Sequence, residues 1–264
     1  MNLEKISKSV CELSRETGKF ILNEKSKITS EIIENKGIHD FVTYVDKTSE
    51  KMLISGLQKL LPDSAFLAEE NTVKQIDADY TWVIDPLDGT TNYIHGLDPY
   101  TISIALMNKN EIILGVVYEI SNDECFYAWQ NSKAYLNGYE ISVSKRKTIE
   151  DSLVATGFPY YDFERIKPFL KLLEYFFHKS HGVRRLGSAA TDLAYVACGR
   201  FEAFYEYSLH PWDVAAGALI VERAGGKVSD FNGGNNYIFG SEIIATNNFV
   251  FNEFLGVVKK IMNK

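Results

Sequence analysis

Between Ala65 and Trp129 the chain places five short apolar runs in close succession: AFLA (Ala65 to Ala68), TWVID (Thr81 to Asp85), TISIALM (Thr101 to Met107), IILGVVYEI (Ile112 to Ile120) and ECFYAW (Glu124 to Trp129). Runs of this length, rich in β-branched and aromatic residues, read as strands. Asn137-Gly138 inside AYLNGYEIS adds a hairpin, because both residue types accept the left-handed backbone of a tight turn. A sheet of that size has to be covered, and helical patterns flank it. Leu3, Ile6, Val10, Leu13, Phe20 and Ile21 recur at helical spacing, which predicts an amphipathic helix over the first ~25 residues. A second helix is predicted from Asp46 to Leu61, stopped by Pro62. Beyond Lys145 the rhythm changes to longer helical stretches, FERIKPFLKLLEYFF, SAATDLAYVACG and DVAAGALIVERAGG, separated by short strands. The class is therefore α+β. A soft boundary where SKRK interrupts the apolar pattern divides 1–146 from 147–264, two layered sub-domains sharing a cleft.

Composition excludes several classes of function. The chain has 264 residues, 45% hydrophobic and 24% charged, too apolar for disorder and long enough for a substantial core. Lys and Arg total 28 against 35 Asp and Glu, a net charge of −7, with no basic stripe, so direct nucleic-acid binding is not expected. Cys11, Cys125 and Cys198 are odd in number and far apart, which offers neither a disulfide framework nor a zinc pattern and points to a reducing cytoplasm. The start, MNLEKISKSV, lacks the apolar region of a signal peptide, and VAAGALIV (Val214 to Val221) is too short to span a bilayer, so no membrane association is expected.

The chemistry-bearing stretch is WVIDPLDGTTNYIHG, Trp82 to Gly96. A strand delivers Asp85 to the end of a sheet, Pro86 forces an extended or turning backbone, and Asp88 comes round near Asp85. Two carboxylates facing one point repel, whereas a divalent cation between them keeps both ionised. Hard oxygen ligands suit Mg2+ or Mn2+ rather than zinc or copper. Gly89, Thr90 and Thr91 supply backbone N–H groups at a possible helix start, a natural seat for phosphate. A bare D-x-x-D-G is equally compatible with a plain turn and a strand-end cap. Glu69 and Glu70, after the strand FLA, suit a solvated turn as well as a ligand set. Asp213 in HPWDVAAGALIVERAGG suits a helix cap as well as a metal. One shared site accounts for all three more economically than three separate explanations.

WVIDPLDGTTNY together with PWDVAAGALIVERAGG resembles the two signatures of the inositol monophosphatase family, within the Mg2+-dependent, lithium-sensitive phosphatases. The resemblance extends to DFVTYVD (Asp40 to Asp46), FLAEEN, ATGFP (Ala155 to Pro159) and RRLGSAATDLAYVACGRFEAFYE, and so runs over nearly the whole chain. TTN after DG fits the inositol-phosphatase branch better than the branch acting on adenosine bisphosphates. The resemblance implies a five-layered α-β-α-β-α sandwich of the inositol monophosphatase / fructose-1,6-bisphosphatase type, and a homodimer.

Carried over residue by residue, the resemblance implies a first metal site at Glu69, Asp85 and the Leu87 carbonyl, and a second at Asp85, Asp88 and Asp213. A third, weaker ion sits by Glu69, making two to three Mg2+ per site, with Mn2+ a possible substitute. Thr90 and Asp46 orient the attacking water and, with Glu69, form the catalytic group. The Gly89 and Thr90 amides hold the phosphate of a small-molecule monoester, while Asp88, Ser188, Ala189, Glu206 and Asp213 surround the inositol ring. Ala68 stands where a glycine commonly precedes the acidic pair, and the lysine expected upstream of DFVT appears as Lys36, one residue closer. The implied reaction is hydrolysis by a metal-activated water with no covalent intermediate.

For Glu206, a salt bridge to Arg184 or Arg185 competes with the substrate role. His95 and His210 read as structural, and His178 and His181 as helix-end residues. Two other functions stay open: fructose-1,6-bisphosphate hydrolysis, with Lys167, Lys171, Arg184 and Arg185 as candidate groups for a second phosphate, and a regulatory protein-binding role in transcription antitermination.

Overall fold

The computed structural model describes residues 1–27, 34–37, 40–72, 78–159 and 162–263, of which 34–37 and 40–42 are described by their backbone alone. Helix α1 spans Leu3–Glu24, capped by the Asn2 side chain, and α2 spans Tyr44–Leu60, started two residues before Asp46 by a Thr43–Asp46 capping box. A short strand pair, β1 (Glu34–Gly37) and β2 (Asp40–Val42), lies between them. Lys36 is on β1, and its side chain lies outside the described residues.

The predicted apolar runs form one sheet: β3 (Ala65–Ala68), β4 (Tyr80–Asp88), β5 (Thr101–Asn108), β6 (Glu111–Glu119), β7 (Glu124–Trp129), β8 (Ala134–Leu136) and β9 (Tyr139–Ile141), in that spatial order. The β8–β9 turn is the expected hairpin, with Asn137 and Gly138 both at positive φ. Strands β4 to β6 are buried on both faces, because side-chain alternation feeds two separate cores. Trp82, Ile84, Ile104, Leu114 and Val116 pack beneath α1 and α2. Val83, Ala105, Val117 and Phe126 point the other way.

That second face meets a central helical layer: α5 (Ala189–Ala197) and α6 (Pro211–Arg223), whose Ala190, Ala194, Ala215, Ala216 and Ala218 are small enough for close packing. Beyond it lies a second sheet of β10 (Leu153–Thr156), β11 (Gly182–Arg184), β12 (Ala203–Tyr207), β13 (Lys227–Ser229) and β14 (Glu242–Thr246), ordered β11-β10-β12-β14-β13. Phe204, Ile243 and Ala245 face the central helices, and Tyr205, Tyr207 and Ile244 face the outer pair, α4 (Ile166–Lys179) and α7 (Phe251–Met262). The result is the α-β-α-β-α sandwich, five layers deep. Helix α7 is not among the helices read from the sequence, although Phe254, Val258 and Met262 mark its buried stripe.

Candidate active site

The geometry at the end of β4 begins with a bulge. Asp85 pairs with Ser103 and Asp88 with Thr101, so β4 advances three residues while β5 advances two. Side chains three apart on a regular strand point to opposite faces; the one extra residue returns both carboxylates to the same face. Pro86 sits inside this bulge and continues the extended backbone instead of turning it. The shared face is the inner one, toward α6, since the Ser103 hydroxyl donates to the Trp212 carbonyl (2.9 Å). Glu69 arrives from the parallel neighbour: its N–H extends the β3–β4 ladder to the Ile84 carbonyl (3.2 Å).

Each acidic group is anchored to the scaffold. Asp85 Oδ1 accepts from the Leu87 N–H (2.9 Å). Asp88 Oδ2 accepts from the Ser188 hydroxyl (2.7 Å) and the Ala190 N–H (2.8 Å), tying the end of the first sheet to the start of α5. Asp213 Oδ2 accepts from the His210 N–H (2.7 Å) in the capping box of α6, so it both caps the helix and faces the cavity. Asn92 strengthens the same junction, donating to the Pro99 and Leu186 carbonyls (2.8 Å each).

Gly89 follows Asp88 at φ +91°, and a Cβ there would stand 3.0 Å from the Pro99 carbonyl oxygen, so both backbone angle and space call for glycine. It precedes the single-turn helix α3 (Thr90–Ile94). The Thr90 hydroxyl has one proton and two acceptors in reach, Asp46 Oδ1 (3.1 Å) and the Leu87 carbonyl (2.9 Å). Asp46 is held from behind by the Thr43 N–H (2.8 Å) and hydroxyl (2.6 Å). Burial raises its carboxyl above the usual range, and the Thr43 hydrogen bonds oppose that.

Of the residues assigned to the site from sequence, all but Asp46 line one cavity of about 130 Å3; Asp46 lies one hydrogen bond behind it, through Thr90. Burial, then the charges of Glu69, Asp88 and Asp213, push Asp85 well above the usual carboxylate range. Burial raises Asp88 to about 6, against the Ser188 and Ala190 hydrogen bonds. Asp213 is raised by burial and by Asp88. Glu206, from β12, is raised to about 8 by burial and the Asp88 charge, with Arg185 pulling the other way. Its carboxylate lies directly over Gly157, where a Cβ would stand 1.9 Å from Oε1.

The oxygen donors of Glu69, Asp85, Asp88 and Asp213, with the Leu87 carbonyl, suit a hard divalent cation such as Mg2+. Among the described residues, no three His, Cys, Asp or Glu side chains are gathered tightly enough to hold an ion as they stand. The fit therefore rests on donor chemistry and on the charge imbalance: the cavity carries Glu69, Asp85, Asp88, Asp192, Glu206 and Asp213 against Arg185. Such a cavity repels a phosphate dianion unless divalent cations reverse its sign.

Several contributors escaped the sequence reading. Asp192 lines the cavity and is 1% exposed; a lone charge in the apolar run SAATDLAYVA was the available signal. Glu50, fully buried on α2, accepts from the N–H groups of Glu70 and Thr72 (2.7 Å each) and so fixes the loop that follows Glu69. Of the four basic groups considered for a second phosphate, only Arg185 lines the cavity; Lys167, Lys171 and Arg184 are exposed. His210 is the N-cap of α6 and stacks on Trp212 at 4.8 Å, while His95 is the C-cap of α3.

The sequence profile described as the inositol monophosphatase family matches residues 2–262. The chain is 41% identical over 237 residues to the Nus factor SuhB of Escherichia coli (strain K12), covering 89% of this chain and 88% of that protein. It is 38% identical over 251 residues to the Nus factor SuhB of Pseudomonas aeruginosa, covering 93% of each. Among solved structures, the extragenic suppressor protein suhB from Bartonella henselae superposes with a TM-score of 0.92 at 35% identity, over 97% of this chain and 99% of that one. The Thermotoga maritima IMPase superposes with a TM-score of 0.88 at 32% identity, over 98% of each chain. Motifs, layer order and whole-length similarity agree: this chain belongs to the inositol monophosphatase family.

Proposed function

We propose that the protein is a Mg2+-dependent phosphatase that hydrolyses inositol monophosphate, or a related polyol or sugar phosphate, to the free alcohol and phosphate. The bulge that turns Asp85 and Asp88 to one face, beside the Thr90–Asp46 pair, carries this reading. Glu69, Asp85, the Leu87 carbonyl, Asp88 and Asp213 hold two to three Mg2+, which when bound neutralise phosphate oxygens and lower the pKa of a water. Asp46 accepts the Thr90 hydroxyl proton, leaving the Thr90 oxygen lone pairs to accept from the attacking water and orient it. The Gly89 and Thr90 amides face the phosphate, and Ser188, Ala189, Glu206 and Asp213 border the alcohol. Ser188 acts chiefly by fixing Asp88, whose carboxylate is the nearest acceptor of its hydroxyl, with the Thr191 hydroxyl also in reach.

The test is phosphate release from a panel of inositol and sugar phosphates after chelation, then with added metal. Mg2+ restores activity, Mn2+ partly replaces it, and Ca2+ and lithium inhibit. Full activity without added metal would overturn the scheme. The bisphosphate alternative is weakened because Arg185 alone of its candidate cations lines the cavity. We further place the protein in the cytoplasm as a homodimer. The exposed stripe of Leu170 and Phe177 on α4 supports an interface, and light scattering on the eluting protein tests it. A second role, binding transcription machinery in antitermination, is favoured by the names of the SuhB relatives. Its test is co-sedimentation with a reconstituted transcription complex.

A further inference from the structure

The inner wall of the cavity, away from Glu69 and Asp85, contains a buried acid that the proposed hydrolysis does not use. Asp192 lies in the first turn of α5, between Ala189, Ala190 and Thr191 on one side and Leu193 and Ala194 on the other. Its neighbours in sequence all pack into the central core, yet it is a carboxyl group, 1% exposed, that lines the cavity. Its Oδ1 has no hydrogen-bond partner among the described residues. Buried polar atoms are almost always paired, so an acid beside a cavity with an unused oxygen is suited to take a hydrogen bond from a bound molecule.

The surroundings narrow what that partner is. Glu206 reaches the same wall from β12, and its charge and that of Asp88 both bear on Asp192; Arg185 is the cation that bears on both Asp192 and Glu206. Arg185 is the one cation among the described residues of this wall, and the Asp88 charge beside it repels a second phosphate or any other anion. A neutral group rich in hydroxyls satisfies both acids: a carboxyl group accepts from hydroxyl protons and, when protonated, donates to hydroxyl oxygens, as a guanidinium does. An apolar ring offers neither acid a hydroxyl, which is how a site built for hydroxyls rejects an analogue lacking them.

We propose that Asp192 is a specificity-determining residue which, with Glu206, holds the hydroxyl groups of a neutral polyhydric ring and so selects polyol monophosphates over aryl phosphates and over esters with a second phosphate. This rests on the phosphatase reading of the same cavity. The assignment also separates Asp192 from acids kept for stability, because an unpaired buried carboxylate weakens the fold that contains it.

The experiment compares Asp192→Ala and the isosteric Asp192→Asn with wild type, assayed with Mg2+ on myo-inositol 1-phosphate and on p-nitrophenyl phosphate, alongside metal-free melting temperatures. The expected result is a ratio of kcat/KM, polyol ester over aryl ester, that falls at least tenfold and mainly through KM, with a melting temperature equal to or above wild type. Parallel losses on both esters with a lowered melting temperature would make Asp192 a packing residue and overturn the proposal. A raised Mg2+ requirement on both esters would make it a cation ligand and also overturn it. An unchanged ratio removes the Asp192 assignment while leaving the phosphatase reading in place. Wild-type protein that hydrolyses neither ester removes both.

Discussion

Asp85→Asn tests the shared-cation arrangement with little risk to the fold. Asp85 is 2% exposed, and its Oδ1 accepts the Leu87 N–H, a bond that the amide oxygen of asparagine retains. Burial and the charges of Glu69, Asp88 and Asp213 penalise its ionised form, so the neutral amide relieves repulsion in metal-free protein. The metal-free variant should therefore melt at or above the wild-type temperature. If the proposed cations bind, the wild type should gain about 2.7 kcal/mol from Mg2+ at a hundredfold excess over Kd, roughly 5 to 10 °C in melting temperature for a chain of this size. The variant should lose most of that gain, because in the proposed arrangement one carboxylate serves both cation sites. Turnover should fall at least a hundredfold, about 2.7 kcal/mol in barrier. The assays are melting with and without Mg2+ and steady-state phosphate release. A variant that keeps more than about a tenth of wild-type activity, a barrier rise under ~1.4 kcal/mol, refutes the bridging role. So does a metal-free variant that melts far below wild type, which would make Asp85 a structural residue.

Gly157→Ala should fold, since the atoms nearest the new Cβ belong to the end of the Glu206 side chain, but it should displace that carboxyl group and raise KM for a polyol phosphate more than for an aryl phosphate; equal KM values count against Glu206 as a substrate contact. Glu50→Gln leaves one of two loop N–H groups facing an amide donor, which should cost about 1 to 3 kcal/mol and raise the Mg2+ concentration needed for half-maximal activity. Unchanged Mg2+ dependence would dissociate that loop from Glu69. Glu206 has a folded pKa of about 8 against an ordinary 4.5, so it is protonated in the folded chain and ionised in the unfolded chain between those values. Metal-free stability should accordingly fall by a few kcal/mol as pH rises from about 4.5 to 8, and Glu206→Gln should flatten that slope in urea titrations. A wild-type slope unaffected by the substitution would assign it to another group.

The sequence alone determined most of the elements, though not α7, and most of the chemistry. Its short apolar runs set the order of the first sheet, since alternation and turn residues act over a few neighbours. Its acidic motifs, through family resemblance, named the acidic residues of the cavity except Asp192. It could not show how Asp85 and Asp88, three apart, reach the same face. D-P-L-D permits a turn as readily as a bulge, and only pairing with Thr101 and Ser103 on β5 selects the bulge. Nor could local pattern place Ser188 and Ala190 on Asp88, about a hundred residues away, or leave Asp192 unpaired in a cavity wall. Those contacts arise where β4, α5, α6 and β12 meet, and the meeting is fixed by burial of two sheets against one helical layer. Tertiary packing thus decided which carboxylates share a space, which are held by backbone amides, and which face an open cavity.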